Sequence, residues 1–381
     1  PWTLQASKMT HEKKNKTIYY NNAVIKIYDF PIFYLPYLSH PDPTVSRRSG
    51  FLPPSFSDSK NLGANLSIPY FWAISEDKNF TISNNLFYDQ HPLFIGEYNQ
   101  AFKNSNFLTD FGFTEGYKKT SASKKAGDKS HLFTKFSKNF KGKFNSDNSF
   151  NFITQYVSNN KYLKLYKIKS NLVDYNKDTL ENEISFNHTK DDLFFGFNAS
   201  LYETLNDSYD DKYEYIFPEV TIDKNIFTDD KFGGLDLQTN LKVHNYDTNK
   251  LTSFLVNNLN WESNDIIINS SIKNKLLGKL KNINYEAKNI DIFKKETTNE
   301  LYGAIGLLSE INFQKENNNS IHALTPKLLL RFSPGSMRKE ENGSRLTVTN
   351  AFNLERLENN TNFETGNTAT MGFDYSIKNN D

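Results

Sequence analysis

The sequence predicts an all-β protein made of long antiparallel strands, and three observations lead to this prediction. Apolar and polar residues alternate along many segments, and polar turn signals recur about every 14 to 18 residues. Aromatic residues reach 15% of the 381-residue chain, although hydrophobic residues total only 37%. Strands with one apolar and one polar face have this composition. The repeat is longer than that of a soluble β-sandwich and favours strands long enough to cross a bilayer at a tilt.

The alternation is clearest in three segments, 150–156, 195–201 and 235–243. Because successive side chains of a strand point to opposite faces, each segment is expected to present one apolar and one polar face. In a membrane barrel, the apolar face contacts lipid and the polar face lines the lumen. In the third segment the predicted apolar face is Leu235, Leu237, Thr239, Leu241 and Val243, and the predicted lumen face is Asp236, Gln238, Asn240 and Lys242.

Short polar pairs mark the predicted turns, among them Glu76-Asp77, Gly127-Asp128, Lys190-Asp191 and Asp229-Asp230. Gly, Asn and Asp tolerate the backbone conformations that tight turns require. About 15 strands are expected after Gly63. Residues 161–169 form the one stretch with an ambiguous helical pattern.

The composition argues against several classes of function. A net charge of +1 provides no field for nucleic acid, and the lack of cysteine excludes a disulfide scaffold or a thiolate metal site within this segment. The seven histidines show no metal-ligand spacing, and no nucleophile elbow, phosphate loop or dinucleotide fingerprint is present. We therefore expect neither an enzyme nor a bound cofactor or metal. The beginning at Pro1 without a leader and the end at Asp381 suggest a segment of a longer chain.

Two regions differ in their pattern. Residues 1–62 have short strands interrupted by prolines, whereas residues 63–381 have long strands separated by polar turns. Proline fixes φ and donates no backbone hydrogen bond, so Pro31 and Pro36 are expected to end strand pairing and to fix the direction of the chain.

Three stretches of the first region and its boundary carry a family resemblance: 29–41 (DFPIFYLPYLSHP), 47–55 (RRSGFLPPS) and 62–72 (LGANLSIPYFW). Their prolines, arginines and aromatics resemble the junction between the periplasmic jellyroll and the barrel of the lipopolysaccharide-assembly protein family, also called the organic solvent tolerance family. Looser landmarks such as 217–220 (FPEV) continue the resemblance into the barrel. The junction residues singled out are Pro31, Tyr34, Pro36, Tyr37, Pro41, Arg47, Arg48, Gly50 and Pro53.

The resemblance implies that residues 1–62 are the last strands of a periplasmic β-jellyroll and its junction. Residues 63–381 would then be the N-terminal part of an outer-membrane β-barrel, which this segment leaves incomplete. The implied function is transport of lipopolysaccharide from a periplasmic bridge protein through jellyroll and barrel to the outer leaflet, with a lipoprotein plugging the lumen. The implied location is the outer membrane, among its lipids, with the N-terminal part in the periplasm.

Two groups of junction residues have alternative interpretations. Ala23, Ile25 and Ile27 share a strand face that is either a lipid-binding groove or a jellyroll core without ligand. Arg47 and Arg48 either pair with lipid phosphates through bidentate hydrogen bonds or tie the junction to the rim of the barrel.

The lipid exit implied by the family is a lateral gate between the first and last barrel strands, weakened by prolines in the first two strands. Pro69 matches the first of these positions, whereas Asn84 stands where the second proline is expected. The alternative is that Pro69 marks only the start of its strand, where proline is allowed.

Two other classes of protein remain open at the level of sequence. Another outer-membrane barrel, such as a porin or an uptake receptor, would lack the proline-rich strands before Gly63. A soluble secreted β-protein or a glycan-acting enzyme would fractionate without detergent and should show a clustered pair of carboxylates.

Overall fold

A computed structural model describes residues 2–45, 47–121, 126–206, 212–247, 249–269, 271–317, 320–339, 345–357 and 360–379. Within these ranges the regular structure consists of 23 strands, one five-residue helix and one short 3-10 turn. The predicted all-β fold class is therefore confirmed. The chain divides into two compact units, residues 1–134 with 156–172 and residues 135–155 with 173–381.

The first unit contains ten strands and the helix. They are β1 (Trp2–Gln5), β2 (Lys8–Glu12), β3 (Thr17–Ile27), β4 (Phe30–Pro41), β5 (Gly50–Phe51), β6 (Ser55–Ser59), β7 (Gly63–Ser75), β8 (Lys78–Phe87), β9 (Leu93–Ala101), β10 (Ser105–Gly116) and α1 (Tyr162–Tyr166).

Two strands, separated by the 3-10 turn Lys143–Asn145, have residues in both units: β11 (Ala126–Lys141) and β12 (Asp147–Val157). The other strands lie in the second unit. They are β13 (Thr179–Lys190), β14 (Leu193–Thr204), β15 (Tyr213–Asp229), β16 (Gly233–Tyr246), β17 (Lys250–Glu262), β18 (Ile266–Ile268), β19 (Ile272–Lys288), β20 (Thr298–Ile311), β21 (Phe313–Asn317), β22 (Ser320–Phe332) and β23 (Thr368–Asn379).

Strands β1–β4 form a sheet of their own, in which β3 pairs with each of the other three. β4 continues from Phe30 to Pro41, so the prediction that Pro31 and Pro36 end strand pairing is wrong. The register shifts by one residue beside Pro31, and pairing is present on both sides of Pro36. Among the described strands β4 pairs with β3 alone, and an edge strand tolerates prolines whose missing donor faces away from the ladder.

Strands β5–β23 belong to one antiparallel sheet of 19 strands in which successive strands are neighbours. The 17 strands from β7 onward exceed the predicted 15 because β18 and β21 are short extensions beside longer strands. The ambiguous stretch 161–169 does contain the helix α1. The turn predicted at Gly127-Asp128 is wrong, because β11 already begins at Ala126.

The strands of the second unit have two distinct faces. The register aligns Phe197, Val220, Leu241 and Leu255 on one face, which we call the apolar face. It continues to Met371 and Phe373 of β23, which are 82% and 68% exposed. The three segments with the clearest alternation are confirmed as parts of β12, β14 and β16.

The opposite face carries Asn198, Glu219 and Lys242 in one aligned row. Segments that connect the strands fold over this side, so we call it the covered face. Phe293 of the connection between β19 and β20 packs there on buried Phe254 and Tyr285. No helix among the described residues is long and apolar enough to cross a membrane.

The hairpin between β15 and β16 shows how the sequence ends one strand and begins the next. As predicted, it turns at Asp229-Asp230, where the Asp229 carboxylate accepts hydrogen bonds from the backbone N–H groups of Lys231 (2.7 Å) and Phe232 (3.0 Å). Gly233 then starts β16 with φ +82°, a conformation that L side chains rarely adopt.

We expect Gly233→Ala to destabilise this hairpin by about 1–3 kcal/mol. A Cβ at this position would overlap the backbone of Glu262 and Ser263, whereas a Cβ at Gly234 has its nearest contact at 3.9 Å. The measurement is the fraction of full-length protein that keeps the heat-modifiable mobility of a folded barrel on gels. Gly234→Ala is the control, and equal losses in both variants would contradict this account.

Candidate functional site

A proline lies in the middle of β7, on the side of the strand that pairs with β5 and β6. Pro69 is the seventh residue of the 13-residue strand, so it does not mark the start of the strand. Its carbonyl oxygen accepts a hydrogen bond of 2.9 Å from the N–H of Leu52. In an antiparallel ladder the N and O atoms of one residue point to the same side. The donor that Pro69 lacks therefore faces β5 and β6, where it would have bonded the carbonyl of Leu52.

The strand opposite this position is also broken by proline. β5 pairs Phe51 with Tyr70, and β6 pairs Ser55 with Ser67. These two pairings differ by one residue in register. Leu52 pairs with Pro69, so Pro53 and Pro54 form a bulge opposite Ile68, the residue next to Pro69. Three prolines thus fall at adjacent positions of the pairing between β5–β6 and β7, and none of them can donate a backbone hydrogen bond.

Pro53 was predicted to belong to the junction, whereas no role was predicted for Pro54. The polar hairpin turn at residues 60–62 is the signal that could have placed Pro54 opposite β7.

The second predicted gate residue, Asn84, has a different environment. It lies within β8, where it pairs with Ile68 on one side and with Phe94 on the other. Pro69 pairs with Ser83, one position away, so the side chains of Pro69 and Asn84 point to opposite faces. The structure brings Pro69 together with Pro53 and Pro54, and not with Asn84.

The two junction arginines contact protein groups at both ends of the junction. Arg47 donates a hydrogen bond of 2.8 Å to the carbonyl of Glu76, in the turn between β7 and β8, and lies over the ring of Phe71. Arg48 donates to the hydroxyl of the buried Thr17 at the start of β3. These contacts match the interpretation of a structural tie.

The other predicted junction residues lie along β4 and β5. Tyr34 donates a hydrogen bond of 2.7 Å to the Asn22 side chain, and the ring of Tyr37 packs on Tyr19. Pro41 ends β4 and Gly50 begins β5.

The three groove candidates on β3 differ in accessibility. Ala23 is fully buried, Ile25 is half-buried, and Ile27 is 46% exposed. Ile25 lies between Leu4 of β1 and Phe33 of β4 in the register. A lipid on this face would therefore meet Ile27 first, and contact of all three residues with lipid stays a prediction.

The predicted lumen residues of β16 all lie on the covered face and contact polar groups of β15. Asp236 accepts a hydrogen bond of 2.8 Å from Asn225, and Asn240 accepts one of 3.1 Å from Thr221. Lys242 forms an ion pair of 3.5 Å with Glu219. Gln238 pairs in register with Asp223 and Asn258. These rows of β15 and β16 carry both hydrogen-bond donors and acceptors.

A buried polar cluster in the first unit was not predicted from the sequence. The imidazole of His131 lies 2.6 Å from the Asp110 carboxylate and 2.9 Å from the Tyr162 hydroxyl, and all three residues are buried. Burial raises the pKa of the Tyr162 hydroxyl well above its usual range. The cluster holds α1 against β10 and β11, and its members are too far apart in sequence to form a motif.

Parts of this sequence are similar to the sequences of known proteins. No family model matches the chain. The LPS-assembly protein LptD of Nitrosococcus oceani is 33% identical over 96 residues, 25% of this chain and 13% of that protein. LptD of Shewanella sp. (strain MR-4) is 37% identical over 84 residues, 22% of this chain and 11% of that protein. LptD of Francisella tularensis subsp. holarctica is 25% identical over 217 residues, 54% of this chain and 22% of that protein.

This chain resembles LptD. The match confirms the resemblance predicted from the junction, and in the Francisella protein it covers about half of the chain. The matched segments span only 11–22% of the length of these three relatives.

The two faces of the LptD-like sheet give a direct labelling prediction. Leu241→Cys and Lys242→Cys place thiols on neighbouring residues of β16 that point to opposite faces. In outer membranes carrying the full-length protein, with other accessible thiols removed, a water-soluble maleimide should label position 242 and spare position 241. Lys242 is the better reporter because its side chain is 44% exposed. Preferential labelling of position 241 would show that the apolar face does not contact lipid.

Proposed function

We propose that this chain is part of an outer-membrane protein that transports and assembles lipopolysaccharide. The observation that carries the proposal is its similarity to LptD proteins of several bacteria, which are named for LPS assembly. The long antiparallel strands with one apolar and one polar face support it, because membrane-spanning β-structure requires this division.

In this proposal β1–β4 are the end of the periplasmic jellyroll, and residues 63–381 are the first part of the barrel. β5 and β6 pair with β7, so they would lead into the barrel from residues 1–62. Ala23, Ile25 and Ile27 belong to the surface that receives acyl chains. Each buried methylene contributes about 0.8 kcal/mol, so even a short apolar surface retains lipid.

The covered face is the lumen side of the proposed barrel. Asp236, Gln238, Asn240 and Lys242 provide carboxylate, amide and ammonium groups that replace water around a sugar. The apolar face contacts the lipids of the outer membrane. The proposed partners are a periplasmic bridge protein (LptA-like), which delivers lipopolysaccharide, and an outer-membrane lipoprotein (LptE-like), which plugs the lumen.

The proposed lateral gate lies at the edge of β7. Pro69 cannot donate the hydrogen bond that would complete its pair with Leu52, and Pro53 and Pro54 break the opposite strand. A missing ladder bond of about 0.5–1.5 kcal/mol favours local opening without unfolding the sheet. Asn84 can donate its backbone hydrogen bond, whereas Pro69 cannot, so the proposal of a gate depends on Pro69.

We expect Pro69→Ala to tighten this edge and to slow lipopolysaccharide delivery, because the new N–H can bond the carbonyl of Leu52. The measurements are the rate at which lipopolysaccharide reaches the cell surface and sensitivity to large hydrophobic antibiotics. Asn84→Thr is the matched control, since it changes a paired position of the adjacent strand and should leave both at wild-type values. If the Pro69→Ala protein assembles normally and delivers lipopolysaccharide at the wild-type rate, Pro69 is not part of the gate.

The proposed function itself is tested by depleting the full-length protein. Newly made lipopolysaccharide should then disappear from the surface and accumulate inside the cell. Unchanged surface lipopolysaccharide after depletion would reject the proposal.

A further inference from the structure

The connection between β22 and β23 places an acidic residue on two lysines of the covered face. The Glu355 carboxylate lies 2.8 Å from Nζ of Lys279 and also forms an ion pair with Lys281, both on β19. The side chain of Lys281 is 1% exposed and that of Glu355 is 8% exposed. One carboxylate thus bridges two ammonium groups in a place from which water is largely excluded, which strengthens their electrostatic attraction.

The same connection also places an aromatic ring beside these charges. Phe363 is fully buried, and its ring stacks on Tyr302 of β20 with a centroid distance of 5.7 Å and an interplanar angle of 16°. The Nζ of Lys281 and the guanidinium of Arg331 lie 5.8 Å and 5.9 Å from the centre of this ring. Phe363 therefore occupies a slot with one flat aromatic wall and two cations.

Most of the contacts that hold the connection come from the sheet. Arg331 of β22 donates hydrogen bonds to the backbone carbonyls of Leu354, Glu364 and Gly366. Within the connection, Arg356 pairs with Glu364 through two hydrogen bonds. If residues 354–357 and 360–366 moved away, Glu355 and Phe363 would leave together. Lys279, Lys281, Arg331 and Tyr302 would remain on the strands.

We propose that Lys279, Lys281, Arg331 and Tyr302 form a binding site for a phosphorylated saccharide, and that residues 354–357 and 360–366 occupy this site as an internal substitute for that ligand. The Glu355 carboxylate takes the place of the phosphate, and the Phe363 ring takes the place of the sugar ring on Tyr302. A phosphate carries more charge and more acceptor oxygens than a carboxylate, so it can displace Glu355 from the two lysines.

This inference rests on the proposed function, because the headgroup of lipopolysaccharide is a phosphorylated saccharide that would pass along the covered face. It adds a site and a mode of regulation: arrival of the anionic headgroup would displace Glu355 and Phe363 from the site. A neutral sugar would not compete with Glu355 and would leave the connection in place.

The test uses purified full-length protein in detergent and two measurements. Calorimetry measures binding of glucose 1-phosphate, with glucose as the uncharged control. The rate of trypsin cleavage after Arg356 reports release of the connection, because the Arg356 side chain is only 11% exposed and is paired with Glu364. In the wild type, glucose 1-phosphate should bind and accelerate this cleavage, and glucose should do neither.

Two variants separate a ligand substitute from a purely structural ion pair. Glu355→Gln and Lys281→Met should both accelerate cleavage after Arg356, because each breaks the same contact. Their effects on glucose 1-phosphate should be opposite. Glu355→Gln should bind it about tenfold more tightly, since the competing carboxylate is gone, and Lys281→Met should bind it about tenfold more weakly, since a cation is gone.

Lys327→Met is the matched control. It removes another lysine of the covered face, on β22, whose ion pairs are with Asp374 (2.6 Å) and Glu310 (3.8 Å) of the neighbouring strands. Binding of glucose 1-phosphate to Glu355→Gln that is no tighter than to the wild type, despite faster cleavage, would overturn the proposal. Wild-type binding by Lys281→Met would also overturn it.

If Lys281→Met fails to fold, as judged by heat-modifiable mobility, Lys279→Met replaces it with the same expectation, because the side chain of Lys279 is 20% exposed. These measurements can fail while depletion still abolishes surface lipopolysaccharide, so failure of this inference is distinguishable from failure of the proposed function.

Discussion

Backbone hydrogen bonding is the constraint on which the rest of this structure depends. A strand away from water must pair each N–H and C=O group with a neighbouring strand. Several pairs of the second unit meet this demand with unbroken registers of 12 to 14 residues, such as β13 with β14, β16 with β17 and β19 with β20. Once pairing fixes the backbone, side chains alternate between two faces. The exposed row at Met371 and Phe373 and the polar row at Glu219 and Lys242 are consequences of the same ladder.

The features that depend on this alternation could be predicted from sequence. The segment 235–243 gave β16 and its two faces because neighbouring residues report directly on a period of two. The turn at Asp229-Asp230 was equally readable, since an aspartate side chain can bond the backbone two and three residues later. Pro31 and Pro36 misled the prediction because a proline is compatible with a strand edge, and the sequence does not state which edge remains unpaired.

The contacts that assemble the candidate sites were not predictable in this way. Lys281 and Glu355 are 74 positions apart in sequence, and His131 and Tyr162 are 31 apart. No local sequence pattern predicts such pairs, because the way in which the connecting segments fold over the strands determines which side chains come into contact. The junction was recognised as a whole from its prolines, arginines and aromatics, whereas the partner of Pro69 became clear only from the register of β5 and β6.

The bulge at Pro53 and Pro54 also determines which way the flanking aromatic rings point. Phe51 and Phe56 are five residues apart, so an uninterrupted strand would send them to opposite sides. The extra residue reverses the parity, and the two phenylalanines pair with Tyr70 and Leu66, which share one face of β7. Both rings are more than three-quarters exposed on that side. Deletion of one proline would therefore restore the regular alternation of the strand. It would also move one of these two rings from the face it shares with Tyr70 and Leu66 to the opposite face of the sheet.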